Sequence, residues 1–180
     1  YATGLSDAAV AVFQRHQVHG YLTFLEFHKD GVSGVDGLGG AKLVRVAPDG
    51  EHVYVIGQTD NAIAIFDRSD IDGALTFVVK DTSNVASPLG LALSPDGANL
   101  YTTSQSNNSI QVFARNATDG TLSFLEEHTD GSNGVNGLNF AVDVQVSRDG
   151  LLVYATGNSD NALAVFQRNP ANGRITFLQV

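Results

Sequence analysis

The alternation of apolar runs and turn signals between Leu43 and Phe77 predicts four short strands. The runs are rich in β-branched and aromatic residues, which favour strands, and Asp-Gly or Asp-Asn pairs between them favour tight turns. Connections this short require neighbouring strands to be antiparallel. We therefore predict an up-and-down meander of four strands, with turns at Asp49-Gly50, Asp60-Asn61 and Asp72-Gly73.

Aromatic residues at three positions of this meander recur along the chain in a single register. The series are Tyr1, Tyr54, Tyr101 and Tyr154 in the second strand, Phe13, Phe66, Phe113 and Phe166 in the third, and Phe24, Phe77, Phe124 and Phe177 in the fourth. Each series is spaced 53, 47 and 53 residues apart, and we interpret all three as packing residues between sheets. They divide the chain into units at approximately 1–28, 41–80, 89–127 and 142–180, of which the first lacks its first strand.

The predicted strands carry apolar residues at consecutive positions, as between Ala62 and Phe66. This pattern is typical of sheets that are covered on both faces, and repeated units of this kind cover one another by stacking. We predict an all-β fold: a β-propeller of four-stranded antiparallel blades, forming a single domain or part of one. The incomplete first unit would expose a strand edge, so we expect self-association or closure of the ring by missing blades.

Glycine-rich connections follow every second unit, at 28–38 and 128–138, so the chain also repeats in pairs of units with a period of 100 residues. These loops carry Asp30 and Asp36 and the equivalent residues Asp130 and Asn136. Their side-chain oxygens are ligands that Ca²⁺ prefers in proteins. Asp-Gly pairs are equally typical of tight turns, so the loops indicate either a calcium site or turns alone.

Composition narrows the classes of partner. The 180-residue chain has a formal net charge of −9, and its ten Lys and Arg residues are scattered, which argues against binding to nucleic acid or to anionic membranes. There is no cysteine, which excludes disulfides and thiolate metal sites. No apolar run is long enough for a spanning helix, and no signal peptide is visible in these residues.

Acidic residues precede both glycine-rich loops at equivalent positions. Glu26 lies two residues before His28, and Glu126 two residues before His128. Residues two apart on a strand share one face, so each pair predicts either a general acid–base pair or a surface pair at the outer edge of a blade.

Polar residues also interrupt the otherwise apolar first strands of the units. Arg45, Asp143 and Gln145 occupy such positions. The first strand of a propeller blade lies nearest the channel, so these three are our candidate ligand-binding residues. The alternative is that they form salt bridges or hydrogen bonds between blades.

Three sequence motifs resemble a known repeat: SPDG at 94–97, VYATG at 153–157 and DNALAVF at 160–166. They resemble the YVTN-type repeats of bacterial and archaeal β-propellers, commonly labelled lactonase-like. The resemblance covers essentially the whole chain and implies a propeller of about seven or eight blades in complete members. It also implies sugar-lactone hydrolysis, and we expect an extracellular, cell-surface or periplasmic location in a prokaryote.

No catalytic signature accompanies the repeat: there is no G-x-S-x-G elbow, no P-loop and no H-E-x-x-H. On this ground the sequence favours a non-enzymatic binding or assembly module that binds a ligand or partner at its loops or channel mouth. A sugar-lactone hydrolase is the alternative, and calcium-assisted carbohydrate binding through the repeated loops is a third hypothesis.

Overall fold

The computed structural model describes residues 1–180, which form fifteen strands and no helix. The strands are β1 (Ala2–Gly4), β2 (Ala9–Arg15), β3 (Leu22–Lys29), β4 (Ala41–Val46), β5 (His52–Gly57), β6 (Ala62–Arg68), β7 (Leu75–Asp81), β8 (Pro88–Leu93), β9 (Asn99–Ser104), β10 (Ser109–Arg115), β11 (Leu122–Thr129), β12 (Ala141–Val146), β13 (Leu152–Gly157), β14 (Ala162–Arg168) and β15 (Ile175–Gln179). The predicted all-β fold class is confirmed. The chain contains no helix with the length and apolarity needed to cross a membrane.

Consecutive strands pair antiparallel to form four separate sheets, which we call blades 1 to 4. Blade 1 contains only β1–β3, whereas blades 2, 3 and 4 contain β4–β7, β8–β11 and β12–β15. In each complete blade the strands pair in chain order, and the first strands of neighbouring blades contact one another, β8 with β4 and with β12. The first strand is therefore innermost and the fourth is outermost. This is the blade arrangement of a β-propeller, here with three complete blades and one that lacks its innermost strand.

The turn between the second and third strands of a blade depends on one left-handed residue. Asn61, Asn108 and Asn161 each adopt a φ of 51° there, a conformation that asparagine tolerates better than most residues. In blade 1 the same position is Ala8, with a φ of 49°. The asparagine at this position therefore marks the turn in blades 2, 3 and 4 for a physical reason; Asp precedes it in blades 2 and 4.

Each blade contains an edge-to-face aromatic pair between its third and fourth strands. The ring centroids are 5.9, 5.5, 5.8 and 5.5 Å apart in blades 1 to 4, and a β-bulge precedes the third-strand phenylalanine in every case. Phe66, Phe113 and Phe166 are fully buried, but Phe24 and Phe124 are exposed. Our expectation that all three aromatic series pack between sheets therefore fails for these two. Phe77 and Phe177, on the same strand of blades 2 and 4, pack against the apolar clusters between blades, whereas Phe24 and Phe124 contact none of these clusters.

Three apolar clusters fill the three interfaces between blades. One cluster joins residues of blades 1 and 2, including Val12 and Val55, and a second joins blades 2 and 3, including Ile65 and Leu91. The third joins blades 3 and 4, including Val112. Each complete inner blade is thus covered on both faces by its neighbours.

The innermost strands of blades 3 and 4 approach each other closely at Gly90. A Cβ atom at this position would lie 2.7 Å from the Cα of Asp143 and 2.8 Å from the backbone nitrogen of Val144. Backbone atoms cannot move aside as a flexible side chain can, so the absence of a side chain here allows β8 and β12 to pack together.

Substitution Gly90→Ala should force β8 and β12 apart and lower the free energy of unfolding by about 1–3 kcal/mol, the usual cost of overpacking. Urea denaturation followed by far-UV circular dichroism measures this change. Gly4→Ala is the matched control, because its Cβ would meet its nearest atom at 3.4 Å, a side-chain atom of Asp7. Equal stability of the two variants would contradict the prediction.

Candidate functional site

The innermost strands differ in polarity from blade to blade. Strand β8 is apolar and almost wholly buried, whereas β4 carries Lys42 and Arg45, and β12 carries Asp143 and Gln145. Arg45 is half-buried, and its guanidinium Nη1 donates a single hydrogen bond, to the backbone oxygen of Val44 at 3.2 Å. It forms no ion pair with any carboxylate. Arg45 is therefore a partly desolvated cation without a counter-ion.

The structure brings two of the three candidate ligand-binding residues together. Asp143 and Gln145 are exposed, and they lie opposite Thr156 and Tyr154 on one face of blade 4. Arg45 belongs to blade 2, and the innermost strand of blade 3 separates it from the other two. The cationic side chain of Arg45 and the acidic side chain of Asp143 thus lie on blades 2 and 4, with blade 3 between them. Ligand contact by the three residues stays a prediction.

The two deeply buried arginines have a structural environment that we did not predict. Arg115 donates from Nε to the Tyr54 hydroxyl at 2.8 Å and from Nη1 to Asp49 Oδ2 at 2.7 Å, and its Nη2 lies 2.7 Å from His52 Nδ1. The Tyr54 hydroxyl in turn donates to the Gly120 carbonyl at 2.8 Å. Arg115 belongs to blade 3 and the other three side chains to blade 2, so this cluster fastens two blades together.

The same cluster recurs between blades 3 and 4. Arg168 donates from Nε to Tyr101 at 2.8 Å and from Nη2 to Asp96 at 2.8 Å, while Asn99 replaces the histidine. The Tyr101 hydroxyl donates to the Gly173 carbonyl at 2.8 Å. Sequence reasoning missed these clusters, although a usable signal exists: Arg15, Arg68, Arg115 and Arg168 recur in the register of the aromatic series.

These clusters change the protonation equilibria of their members. Burial raises the pKa of the Tyr54 and Tyr101 hydroxyls to about 12, so both remain protonated donors. Burial would also raise the pKa of Asp96, but hydrogen bonds from Ser94, the Ala98 N–H and Arg168 outweigh that effect and lower it. The pKa of Asp49 is lowered by the same balance of burial against hydrogen bonds.

The two glutamate–histidine pairs form as predicted by strand spacing. His28 Nε2 lies 3.1 Å from Glu26 Oε1, and His128 Nε2 lies 3.3 Å from Glu126 Oε1. Each glutamate also accepts a 2.7 Å hydrogen bond from a backbone N–H at the start of the fourth strand of the next blade. The pairs therefore bridge adjacent blades at their outer edge.

The second of these pairs also lines a cleft of about 460 Å³, together with the loop at 132–135 and the start of β15. Burial would raise the pKa of Glu126, but hydrogen bonds from the Ile175 N–H and Arg174 and the nearby His128 ring lower it. Glu126 is thus held as a carboxylate with its acceptor positions occupied, which suits a fastening role better than proton transfer.

The candidate metal ligands fall into two loops that are not equivalent in chemistry. Carboxylate oxygens of Asp30, Asp36 and Asp60 lie within 4.8 Å of one another. However, Asp30 accepts a hydrogen bond from the Leu38 N–H, and the Lys80 ammonium lies 2.6 Å from Asp36. The hydrogen bond from Lys80 lowers the pKa of Asp36.

In the other loop Asp130 accepts a hydrogen bond from the Leu138 N–H, and the Asn136 side chain accepts one from the Gly137 N–H. Asp160 occupies the position of Asp60 and accepts the equivalent backbone hydrogen bond, from the Asn139 N–H. The second loop therefore offers two carboxylates and an amide, a weaker cation site than three carboxylates. In the first loop the Lys80 ammonium already neutralises the charge of Asp36. Calcium binding at either loop stays a prediction.

The fold and these polar groups define a class of protein: a β-propeller whose blades are fastened by buried arginine clusters and whose innermost strands carry separate charged side chains. A family model described as "Lactonase, 7-bladed beta-propeller" matches residues 1–136. The chain belongs to this family, which confirms the lactonase-like resemblance. Comparison with curated proteins found no match.

Solved structures with the same fold come from several bacteria. A protein from Bacteroides uniformis assigned as a 6-phosphogluconolactonase superposes with a TM-score of 0.78 at 23% identity, covering 97% of this chain and 48% of its own. The periplasmic gluconolactonase PpgL of Pseudomonas aeruginosa superposes with a TM-score of 0.75 at 23% identity, and the match covers 95% of this chain and 49% of PpgL. A Lactobacillus plantarum protein superposes with a TM-score of 0.82 at 21% identity, and the match covers 99% of this chain and 52% of that protein. The chain spans about half the length of these proteins, and identities this low show the fold alone.

These comparisons correct our main functional hypothesis. The expectation of a non-enzymatic binding or assembly module is wrong, because the family is a lactonase family and two of its structural neighbours carry lactonase names. The hypothesis relied on the absence of a catalytic motif. That absence carries little weight in a propeller, where an axial site gathers single side chains from different blades and leaves no local motif.

Substitution Arg168→Met should lower the free energy of unfolding by about 2 kcal/mol, because it leaves the buried Tyr101 hydroxyl without one partner and Asp96 without its cation. Arg15→Met is the matched control at the equivalent position of blade 1, where the arginine is exposed and has no hydrogen-bond partner. Urea denaturation of both variants measures the difference. A loss as large for Arg15→Met as for Arg168→Met would show that the cluster geometry is not the cause.

The lowered pKa of Asp96 predicts a specific pH dependence of stability. Its ionised form is favoured in the folded state, so its contribution is complete above the unfolded pKa of about 3.9 and disappears as the pH falls through the folded pKa. Asp96→Asn should therefore show a smaller loss of stability than the parent chain between about pH 4 and pH 2. Thermal unfolding across this range measures it, and parallel profiles for the two proteins would contradict the assignment.

Proposed function

We propose that this chain contributes to a propeller that hydrolyses a sugar lactone to the corresponding hydroxy acid. The family match over residues 1–136 carries the proposal. The lactonase names of two structural neighbours support it, although each is similar to this chain at only 23% identity.

The reaction sets clear chemical requirements. Water adds to the acyl carbon, the bond from that carbon to the ring oxygen breaks, and the ring oxygen leaves with a proton as a hydroxyl group. Negative charge develops on the carbonyl oxygen in the transition state, so a positioned cation or hydrogen-bond donor accelerates the step. The sugar hydroxyls require polar acceptors that hold the ring in place.

The inner strands offer groups with these properties. Arg45 is half-buried and lacks a counter-ion, so its guanidinium is available to the lactone carbonyl or to an anionic substituent of the substrate. Asp143 and Gln145 are exposed side by side, where a carboxylate and an amide can accept hydrogen bonds from ring hydroxyls. We assign Arg45 to the charged end of the lactone and the pair on β12 to its hydroxyl groups.

Incubation of the full chain with aldono-δ-lactones, with and without a phosphate substituent, tests this function. We expect acid release above the spontaneous rate, measured with a pH indicator near neutral pH. Arg45→Gln should lower kcat/KM by about 100-fold, the typical cost of removing one group that stabilises an oxyanion. No acceleration of any of these lactones over buffer would contradict the proposal.

Arg148→Gln is the control for this measurement. Arg148 is exposed in the turn between β12 and β13 and has no hydrogen-bond partner, so its substitution removes the same charge without touching the inner strands. Equal loss of activity in the Arg45 and Arg148 variants would indicate a general charge effect and contradict the role of Arg45.

A further inference from the structure

The interface between blades 2 and 3 differs from the other two at its outer edge. In the other two, a glutamate of the fourth strand accepts a backbone N–H of the next blade at 2.7 Å: Glu26 from Leu75, and Glu126 from Ile175. The residue at this position of the fourth strand in blade 2 is Val79. No glutamate therefore fastens blade 2 to blade 3 at this point.

The matching backbone donor in blade 3 is the N–H of Leu122. Leu122 lies opposite Arg115, whose own N–H donates at 2.8 Å to the Ala98 carbonyl on the other side of that strand. The two residues are therefore a non-hydrogen-bonded pair of the ladder, and the Leu122 N–H points outward from the edge of the sheet. No side chain of blade 2 accepts it, because Val79 has no polar side-chain atom.

A cleft of about 260 Å³ opens beside this donor. Both blades line it: Ile65, Val79 and residues 80–83 belong to blade 2, and Thr121 and Leu122 to blade 3. Ile65 is buried and Val79 is exposed, so one wall of the cleft is apolar. The volume is below the roughly 300–1,000 Å³ of sites that enclose a whole ligand, so the cleft suits one functional group of a ligand.

The second polar group of the cleft is the carboxylate of Asp81. This residue lies two positions after Val79 and occupies the strand position of His28 in blade 1. Its Oδ1 accepts a hydrogen bond from the Ser83 N–H at 2.7 Å, and its Oδ2 accepts none. In blade 1, His28 Nε2 lies 3.1 Å from the same glutamate oxygen that accepts the backbone N–H. The space between Asp81 and the Leu122 N–H therefore corresponds to one carboxyl or amide group.

We propose that this cleft binds the amide group of an N-acetylated ligand, whose carbonyl accepts the Leu122 N–H and whose N–H donates to Asp81. An amide presents its oxygen and its N–H in opposite directions, so it complements a donor and a carboxylate that face each other. The acetyl methyl group packs on Ile65 and Val79. A carboxylate of the same size is disfavoured, because it would lie beside the like charge of Asp81. Binding here is separate from lactone hydrolysis at the inner strands.

Titration of the isotope-labelled full chain with N-acetyl-D-glucosamine, followed by the amide NMR shifts of Leu122 and residues 80–83, tests the proposal. We expect saturable shifts at these residues. D-Glucose, which lacks the acetamido group, and acetate, which lacks the N–H, should not produce them. No saturable shift at Leu122 up to about 50 mM of the acetamido sugar or of a second amide, N-acetyl-L-alaninamide, would overturn the proposal. Equal binding of glucose or acetate would do the same.

The two amides also distinguish the source of the ligand. Tighter binding of N-acetyl-D-glucosamine would assign the cleft to N-acetylated sugars, and tighter binding of N-acetyl-L-alaninamide to N-acetylated amino acids. Either order supports the proposal, since both probes carry the group that the cleft recognises.

Substitutions locate the contact. Val79→Glu should abolish binding, because the new carboxylate can make the contact that Glu26 and Glu126 make with the next blade. Val32→Glu is the matched control: Val32 is exposed on a loop outside the cleft, so the same change there should leave binding unchanged. Binding that survives Val79→Glu in a folded variant would contradict the assignment.

Asp81→Asn tests the second contact without adding a charge to the cleft. It should weaken binding of the acetamido sugar by about tenfold, because a neutral acceptor replaces a charged one. It should also allow acetate to bind, since the like charge is gone. An unchanged preference of the Asp81→Asn variant for the amide over acetate would show that Asp81 does not contact the ligand.

Discussion

The structure depends on mutual cover between sheets that are apolar on both faces. A single four-stranded meander of this sequence cannot shield its Val, Ile and Phe side chains from water, and the free energy of apolar burial becomes available only when a second blade lies against it. The three apolar clusters lie between blades, not within them. Folding of one blade and its packing onto the next are therefore one cooperative event.

Apolar attraction between two such faces is non-directional, so it does not by itself specify their relative position. The buried arginine clusters provide that specification. Arg115 and Arg168 each reach from one blade into the turn of the preceding blade and bind a tyrosine hydroxyl, a carboxylate and a second polar side chain. A buried guanidinium with any other register would lose several hydrogen bonds, and this penalty selects one arrangement.

The candidate ligand-binding residues do not follow the repeat. Members of the recurring tyrosine and arginine series fasten the blades at two interfaces, through Tyr54 with Arg115 and Tyr101 with Arg168. Arg45, Asp143 and Gln145 instead place polar side chains on first strands that are mainly apolar. The hypothesis of a non-enzymatic module relied on the repeat and on the absence of a catalytic motif. In a propeller the repeated residues build the scaffold, and polar residues that depart from the repeat are better candidates for a binding or catalytic site.

Local signals in the sequence determined the strands, the turns and the stacking of blades. Asp-Gly and Asp-Asn pairs mark backbone conformations that few other residues tolerate, consecutive apolar runs require cover on two faces, and a common register of aromatics counts the units. The strand spacing also predicted the contact of Glu26 with His28, because two residues on one strand share a face. Only the tertiary structure decided that Arg115 binds Tyr54 and Asp49 and that Lys80 reaches Asp36. Contacts of this kind join residues far apart in the chain, and their geometry depends on how one blade rotates and settles against the next, which no local pattern encodes.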